Sequence, residues 1–234
     1  MAEALLEIDT LDAFYGEFQA LFGVSLRIGA GETVAVIGAN SAGKTTLMKS
    51  IVGLVNARAR GLRLRGDDIS RLPTHRIVAR GVALAPEGRR LFRSLSVEEN
   101  LQAGGQAGRP GPWSLAAIYD LFPALQEKRK LPATSLSGGQ QQMVAIARGL
   151  MSNPDLLMID ELSLGLAPII VKDIYARLPR IVAAGVSALI VEQDTQQALA
   201  AADRIYCLRQ GRVTLEGPPS AFSKADISNA YFGV

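Results

Sequence analysis

The chain of 234 residues carries 48% hydrophobic and 20% charged residues with 23 Gly and 11 Pro, a balance that suits one folded core with an appended lobe and excludes a disordered, fibrous or low-complexity protein. With 25 Lys and Arg against 22 Asp and Glu the net charge is +3, too small and scattered for a nucleic-acid footprint, though compatible with mild attraction to anionic lipid. The single cysteine, Cys207, excludes an internal disulfide and a Cys-rich metal site and suits a reducing compartment.

The N-terminal segment Met1 to Glu7 is acidic where a signal peptide would be basic. Residues 5 to 38 read as strands: Val24 to Ile28 alternates, Ala30-Gly31-Glu32 is a tight turn, and Thr33 to Ile37 is a nearly continuous β-branched run suited to the middle of a parallel sheet. A helix is expected from 44 to 55, then short strands at Gly61 to Leu64 and Val82 to Ala85 around a basic amphipathic segment, Thr74 to Arg80. Between about 90 and 151 the texture changes to helices, Val97 to Gln106, Ser114 to Phe122 and Gln140 to Met151, separated by Gly and Pro clusters. Leu156 to Ile159 and Ser187 to Val191 flank a helix at Pro168 to Ala184, a βαβ pattern. The longest apolar run, Ile181 to Val191, falls short of the roughly 20 residues that cross a bilayer. Arg204 to Leu208 and Arg212 to Leu215 form a closing hairpin around Gln210-Gly211, and a short helical tail follows.

Three motifs carry chemistry. Gly38 to Thr45 has the spacing Gly-x4-Gly-Lys-Thr between a buried strand and a helix. The glycines let the backbone wrap an anion, N–H groups and the helix N-terminus bind phosphates, Lys44 reaches the terminal ones, and the Thr45 hydroxyl can ligate Mg²⁺. Leu156 to Glu161 is an apolar strand ending in two carboxylates; Asp160 would hold the metal and Glu161 would orient or deprotonate water. Leu136-Ser137-Gly138-Gly139-Gln140 precedes a helix, so Ser137 or a glycine caps it and leaves N–H groups for a second anion. One chain needs one γ-phosphate cradle, so this loop is expected to serve a nucleotide held by another subunit.

At these residues the sequence resembles the ATP-binding subunits of ABC transporters along nearly its whole length. Leu136 to Gln140 matches their signature, and Ser163-Leu164-Gly165-Leu166 looks like their D-loop, with Ala167 where Asp is usual. The resemblance implies an α/β P-loop NTPase core from residues 1–87 and 152–234, an antiparallel β subdomain, and an inserted helical lobe at 88–151. It implies ATP and Mg²⁺ as cofactors, with nucleotide contacts from Tyr15 (stacking on adenine), Gly38, Asn40, Ser41, Ala42, Gly43, Lys44, Thr45 and Thr46. By the same resemblance Glu87 and, across a head-to-tail dimer, Ser137, Gly138, Gly139 and Gln140 are expected to complete the set, with Thr45 and Asp160 as the metal residues. The resemblance implies Glu161 and Gln193 as the catalytic residues.

Pro86 to Phe92, Val97 to Leu101, Leu162 to Pro168 and Val191 to Asp194 are similar to importers of branched-chain and other hydrophobic amino acids, in particular their second ATPase subunit. Importers of urea or short amides are built alike. The implied partners are permease subunits, a second ATPase subunit and, indirectly, a solute-binding protein, with no nucleic acid, at the cytoplasmic face of the cell membrane. Two departures stand out. Glu87 replaces the usual Gln; it either turns toward Arg89 or Arg90, ligates the metal, or is a solvated surface residue. Gln193 occupies the place of the switch histidine, and the only histidine, His75, lies in an early helical segment. A glutamine can donate an N–H to a phosphate but cannot carry a proton, which leaves an ATP-binding structural subunit with weak hydrolysis as the second reading.

Overall fold

Alternating apolar side chains build a long antiparallel hairpin from Ala4–Tyr15 (β1) and Phe18–Gly29 (β2), with Leu6 opposite Ile28, Ile8 opposite Leu26 and Leu11 opposite Val24. The computed structural model describes residues 4–233, so the first three residues of the acidic N-terminal segment lie outside it. Thr33–Ile37 (β3) is buried throughout and leads through the Gly38 to Gly43 loop into Lys44–Ile51 (α1). Asn56–Arg58 (β4) and Gly61–Leu64 (β5) both pair with β1, and Asp67–Asp68 (β6) pairs with β5. Thr74–Ala79 (α2) precedes Val82–Ala85 (β7). Four helices follow, Val97–Gly104 (α3), Leu115–Leu121 (α4), Pro123–Glu127 (α5) and Gly138–Leu150 (α6). The chain then runs through Leu156–Asp160 (β8), Pro168–Ala183 (α7), Ser187–Glu192 (β9), Thr195–Ala201 (α8), the hairpin Arg204–Arg209 (β10) with Arg212–Gly217 (β11), and Lys224–Phe232 (α9).

The strands form two sheets. One is antiparallel, ordered β2-β1-β5-β6 with β4 beside β1; the other is ordered β11-β10-β3-β9-β8-β7 and parallel except for β11. Strands buried on both faces send alternate residues to opposite sides. Val34 and Val36 of β3, with Leu156 and Met158 of β8, join Leu47, Met48 and Ile51 of α1 and the apolar face of the hairpin in one core. On the opposite face, Leu157 and Ile159 of β8 join Val144 and Ile146 of α6 and Ile174 and Leu178 of α7. Each fully buried Leu or Ile contributes about 1.5–3 kcal/mol, so the four-helix segment is fastened to the sheet by the same apolar layer that completes the sheet. Gly104 allows the close approach of α3 to α6, because a Cβ there would collide with the Arg148 carbonyl.

The helix expected from 44 to 55 stops at Ile51: Gly53 adopts φ +72° and the Leu54 N–H reaches back to the Lys49 carbonyl at 2.8 Å, a C-terminal glycine motif. The elements α5 and α8 and the short strands β4 and β6 were not expected from the sequence, whereas the closing hairpin lies where expected. No helix among the described residues is long and apolar enough to cross a membrane.

The parallel order determines where chemistry can gather. The carboxyl ends of β3, β9, β8 and β7 lie side by side, so Gly38, Gln193, Glu161 and Glu87 all follow strands that end on one edge of the sheet.

Candidate active site

The loop after β3 takes its shape from two left-handed residues, Ser41 at φ +65° and Gly43 at φ +105°. Gly43 is also required sterically, since a Cβ would lie 2.6 Å from Leu21 Cδ2. No side chain caps α1, so its first N–H groups are free of the usual partner and suited to an anion. The Lys44 ammonium donates to the Gly38 carbonyl at 2.8 Å and the Ala39 carbonyl at 3.0 Å and lies 3.8 Å from the Glu161 carboxylate. Burial lowers its pKa, opposed by the negative charges of Glu161, Asp160 and Glu192. From behind, the Gly211 N–H donates to the Ala42 carbonyl at 2.9 Å, and the Gly211 carbonyl accepts from the Phe22 N–H at 2.9 Å. The β10–β11 turn thereby ties the loop to the hairpin sheet.

Two strands away, Asp160 is 3% exposed and accepts a hydrogen bond from the Thr45 hydroxyl at 3.2 Å. Burial pushes its pKa up to about 6; the Thr45 bond and Lys44 work against this, while the charges of Glu161 and Glu87 add to it. A hydroxyl and a carboxylate within a surplus of negative charge are a donor set that fits Mg²⁺, which completes its shell with water and phosphate oxygens. Glu87 is exposed, makes no hydrogen bond or ion pair to Arg89 or Arg90, and is felt at Asp160, which sets it on the acidic side of the site. Glu161 has φ +50°, unusual for a residue with a side chain, and its N–H donates to the Val191 carbonyl at 2.9 Å.

A cleft of about 510 Å³ opens between this edge and the hairpin, walled by Tyr15, Phe18 and Phe22 on one side and by Ser41, Gly43, Lys44, Thr45, Thr46 and Glu161 on the other. Tyr15 is 47% exposed with its hydroxyl 3.4 Å from Thr46 Oγ1, and Phe18 is 70% exposed. Of the other expected loop residues, Asn40 is exposed and Ala42 is buried.

Ser137, Gly138, Gly139 and Gln140 lie outside the lining of this cleft. They start α6 through a reciprocal cap: Ser137 Oγ accepts from the Gln140 N–H at 3.3 Å, and Gln140 Oε1 accepts from the Ser137 N–H at 3.1 Å and from Lys128 Nζ at 3.1 Å. Gly139 lets Ile170 of α7 pack against the helix start, and a Cβ on Gly138 would lie 3.2 Å from an Arg89 guanidinium nitrogen. Gln193 is exposed and borders a different cavity, of about 710 Å³, between α8 and α9. His75 is an exposed residue of α2.

Three features escaped the sequence reading. Phe18 and the Gln210-Gly211 turn reach the site only through the fold. Glu192 left a readable trace, a carboxylate ending an apolar strand in the manner of Asp160.

Residues 21–163 match the family model described as ABC transporter. The chain is 40% identical to the high-affinity branched-chain amino acid transport ATP-binding protein BraG of Pseudomonas aeruginosa, over 98% of this chain and 100% of that protein. It is 35% identical to the probable branched-chain amino acid transport ATP-binding protein LivF of Archaeoglobus fulgidus, over 91% of this chain and 92% of that one. The ADP conformation of MJ1267, an ATP-binding cassette of an ABC transporter, superposes with a TM-score of 0.82 at 27% identity, covering 97% of this chain and 94% of that chain. Likeness over almost the full length, in sequence and in backbone, therefore accompanies the motifs, and the chain belongs to the ABC transporter family as one of its nucleotide-binding ATPases.

Proposed function

We propose that this chain is the ATP-hydrolysing, energy-coupling subunit of an importer for branched-chain or other hydrophobic amino acids. The carrying observation is the meeting of Lys44, Thr45, Asp160 and Glu161 on one sheet edge beside an aromatic-walled cleft, and the names of the full-length relatives support the solute class. Adenine stacks on Tyr15, with Phe18 alongside. The loop Gly38 to Thr46, including Asn40, Ser41, Ala42 and Gly43, holds the phosphates through N–H groups and Lys44. Thr45 and Asp160 would hold Mg²⁺, which supplies neutralisation of phosphate charge when bound. Glu161 orients a water and accepts its proton; the water oxygen bonds to the γ-phosphorus as the bond to the bridging oxygen breaks, giving ADP and phosphate. Gln193 donates an amide N–H to the γ-phosphate without carrying charge.

Ser137 to Gln140 stand apart from the cleft of their own chain, which supports their service to a second ATPase subunit in a head-to-tail dimer. In this reading residues 88–151 form the lobe and residues 1–87 and 152–234 the nucleotide core. The lobe and the Glu87 loop face permease subunits from the cytoplasmic side of the membrane, and a solute-binding protein delivers the solute. The test is the chain assembled with its membrane subunits and solute-binding protein. Branched-chain amino acids should stimulate ATP turnover, and Glu161→Gln should lower kcat about a hundredfold or more with little change in KM for ATP. Stimulation by urea or short amides alone would move the solute class; unchanged turnover in the Glu161 variant would leave an ATP-binding structural subunit.

A further inference from the structure

Glu192 is a buried carboxylate that takes no part in the cleft. It ends β9 with its Cα in register with Ile37, the last residue before the phosphate loop, and its side chain is 1% exposed. A carboxylate so buried must find donors, and it has three: the Ser163 N–H at 3.0 Å and the Tyr175 hydroxyl at 3.0 Å on Oε1, and the Ser163 hydroxyl at 2.7 Å on Oε2. These donors come from two different elements. Tyr175 belongs to α7, and Ser163 lies two residues beyond Glu161.

Glu161 sits between the anchored points. Its own N–H is bonded to the Val191 carbonyl, and the Glu192 carboxylate grips Ser163 on the far side. The segment 161–163 is thus sewn to 191–192 by one backbone and two side-chain hydrogen bonds. Between the stitches Glu161 holds its left-handed backbone at φ +50°, a conformation that persists only where the surroundings over-determine it. The residue after Glu192 is Gln193, so the same carboxylate joins the turn behind the water-orienting group to the start of the loop bearing the γ-phosphate donor.

We propose that Glu192 is a positioning residue for hydrolysis, which holds the Glu161 carboxylate on line with the attacked phosphate by clamping Ser163 to the end of β9. The inference rests on the assignment of Glu161 as the group that orients water. It makes the Ser163 loop a dependent part of the catalytic apparatus of its own chain, and Tyr175 the prop that keeps Glu192 aimed.

The experiment measures steady-state ATP turnover of the assembled transporter carrying Glu192→Ala, Glu192→Gln and Ser163→Ala, each also combined with Glu161→Gln. Glu192→Ala is expected to lower kcat about tenfold or more, since a small misplacement of a reacting group is enough for that, while KM for ATP stays within about twofold because the hydrogen bonds of Lys44 to the phosphate loop do not involve Glu192. Glu192→Gln retains an acceptor for Ser163 N–H and Tyr175 and a donor for Ser163 Oγ, so it should recover to within about threefold of the parent. Ser163→Ala, which leaves the carboxylate two donors, should cost less than Glu192→Ala. In the Glu161→Gln background neither change should reduce the residual rate further, because a residue acting through Glu161 has nothing left to position.

A normal kcat in Glu192→Ala beside an inactive Glu161→Gln overturns this inference alone. Losses that multiply in the double variants, or a KM that rises in step with the fall in kcat, do the same. Parent-level turnover in Glu161→Gln overturns this inference together with the assignment beneath it. Should Glu192→Ala fail to fold, the Ser163→Ala pair carries the same comparison.

Discussion

At the scale of single residues, Asp160 shows that the site is arranged against the stability of the protein that carries it. The folded chain keeps this carboxyl protonated up to about pH 6, whereas an ordinary Asp releases its proton near 3.8. Folding therefore takes up a proton between those two values. The stabilising contribution is present below the lower pKa, is lost as pH rises through the upper one, and leaves a cost of at most about 3 kcal/mol at neutral pH. Asp160→Asn removes that cost and keeps an oxygen to accept from Thr45, although it forfeits the attraction to Lys44. In chelator, the variant should unfold about 3–6 °C above the parent at pH 7.5, with the difference shrinking as pH falls through 6 and gone near pH 4. Thermal unfolding across that range checks it, and an offset independent of pH would show that burial of the ionised carboxyl is not the cause. On the proposed role of Asp160 at the metal, the same substitution should weaken stabilisation by ATP with Mg²⁺.

At the scale of elements, the helix that starts at Gly138 depends on a serine to which the proposed function gives a second task. Ser137 Oγ accepts from the Gln140 N–H, which leaves the hydroxyl proton free to donate elsewhere, so a cap and a phosphate contact can coexist on one oxygen. Ser96 holds the matching position on α3, in a reciprocal cap with Glu99. Ser137→Ala and Ser96→Ala should each destabilise the chain by about 1 kcal/mol, but only Ser137→Ala should also cut turnover of the assembled transporter by more than about tenfold. Parallel effects of the two on turnover would reduce Ser137 to a helix cap. The Ser137 cap was legible in the sequence because it is local to the helix start, as were the phosphate loop and the strand ending in Asp160-Glu161. The seven-residue α8 was not legible: it buries only Ala198, too little to leave a helical period. Nor was the role of Glu192, whose partners Ser163 and Tyr175 lie 29 and 17 residues away. What stays hidden in the sequence is what long-range pairing brings to a strand end.

At the scale of the whole molecule, the proposed coupling role requires the four-helix segment to be held firmly to the core, and beyond the shared apolar layer two arginines fasten it, one to the loop that leads out of β7 and the other to the residues before β8. Arg148 of α6 donates to the Arg90 carbonyl at 2.8 Å and the Arg89 carbonyl at 3.3 Å, on the loop after β7 at the edge where the site lies. Arg109, after α3, works at the other edge, about 17 Å away along β8 at the usual rise per residue. There it donates to Asp155 at 2.7 Å, the Asn153 carbonyl at 3.0 Å and the Ala79 carbonyl at 3.2 Å. Asp155 also takes Arg65, between β5 and β6, at 2.6 Å, so one carboxylate joins the hairpin sheet, the helical segment and the parallel sheet. The two arginines on it are unequal: Arg65 is more than half exposed and Arg109 about a fifth exposed. An exposed pair is worth at most about 1 kcal/mol. Loss of the sheltered guanidinium removes three hydrogen bonds at once, and should cost about 2–3 kcal/mol. Arg109→Ala should therefore lower the urea midpoint of the ligand-free chain clearly more than Arg65→Ala. Equal shifts would mean that Asp155 is satisfied by solvent as readily as by Arg109, and that Arg109 adds nothing to what the apolar layer and Arg148 supply to the helical segment.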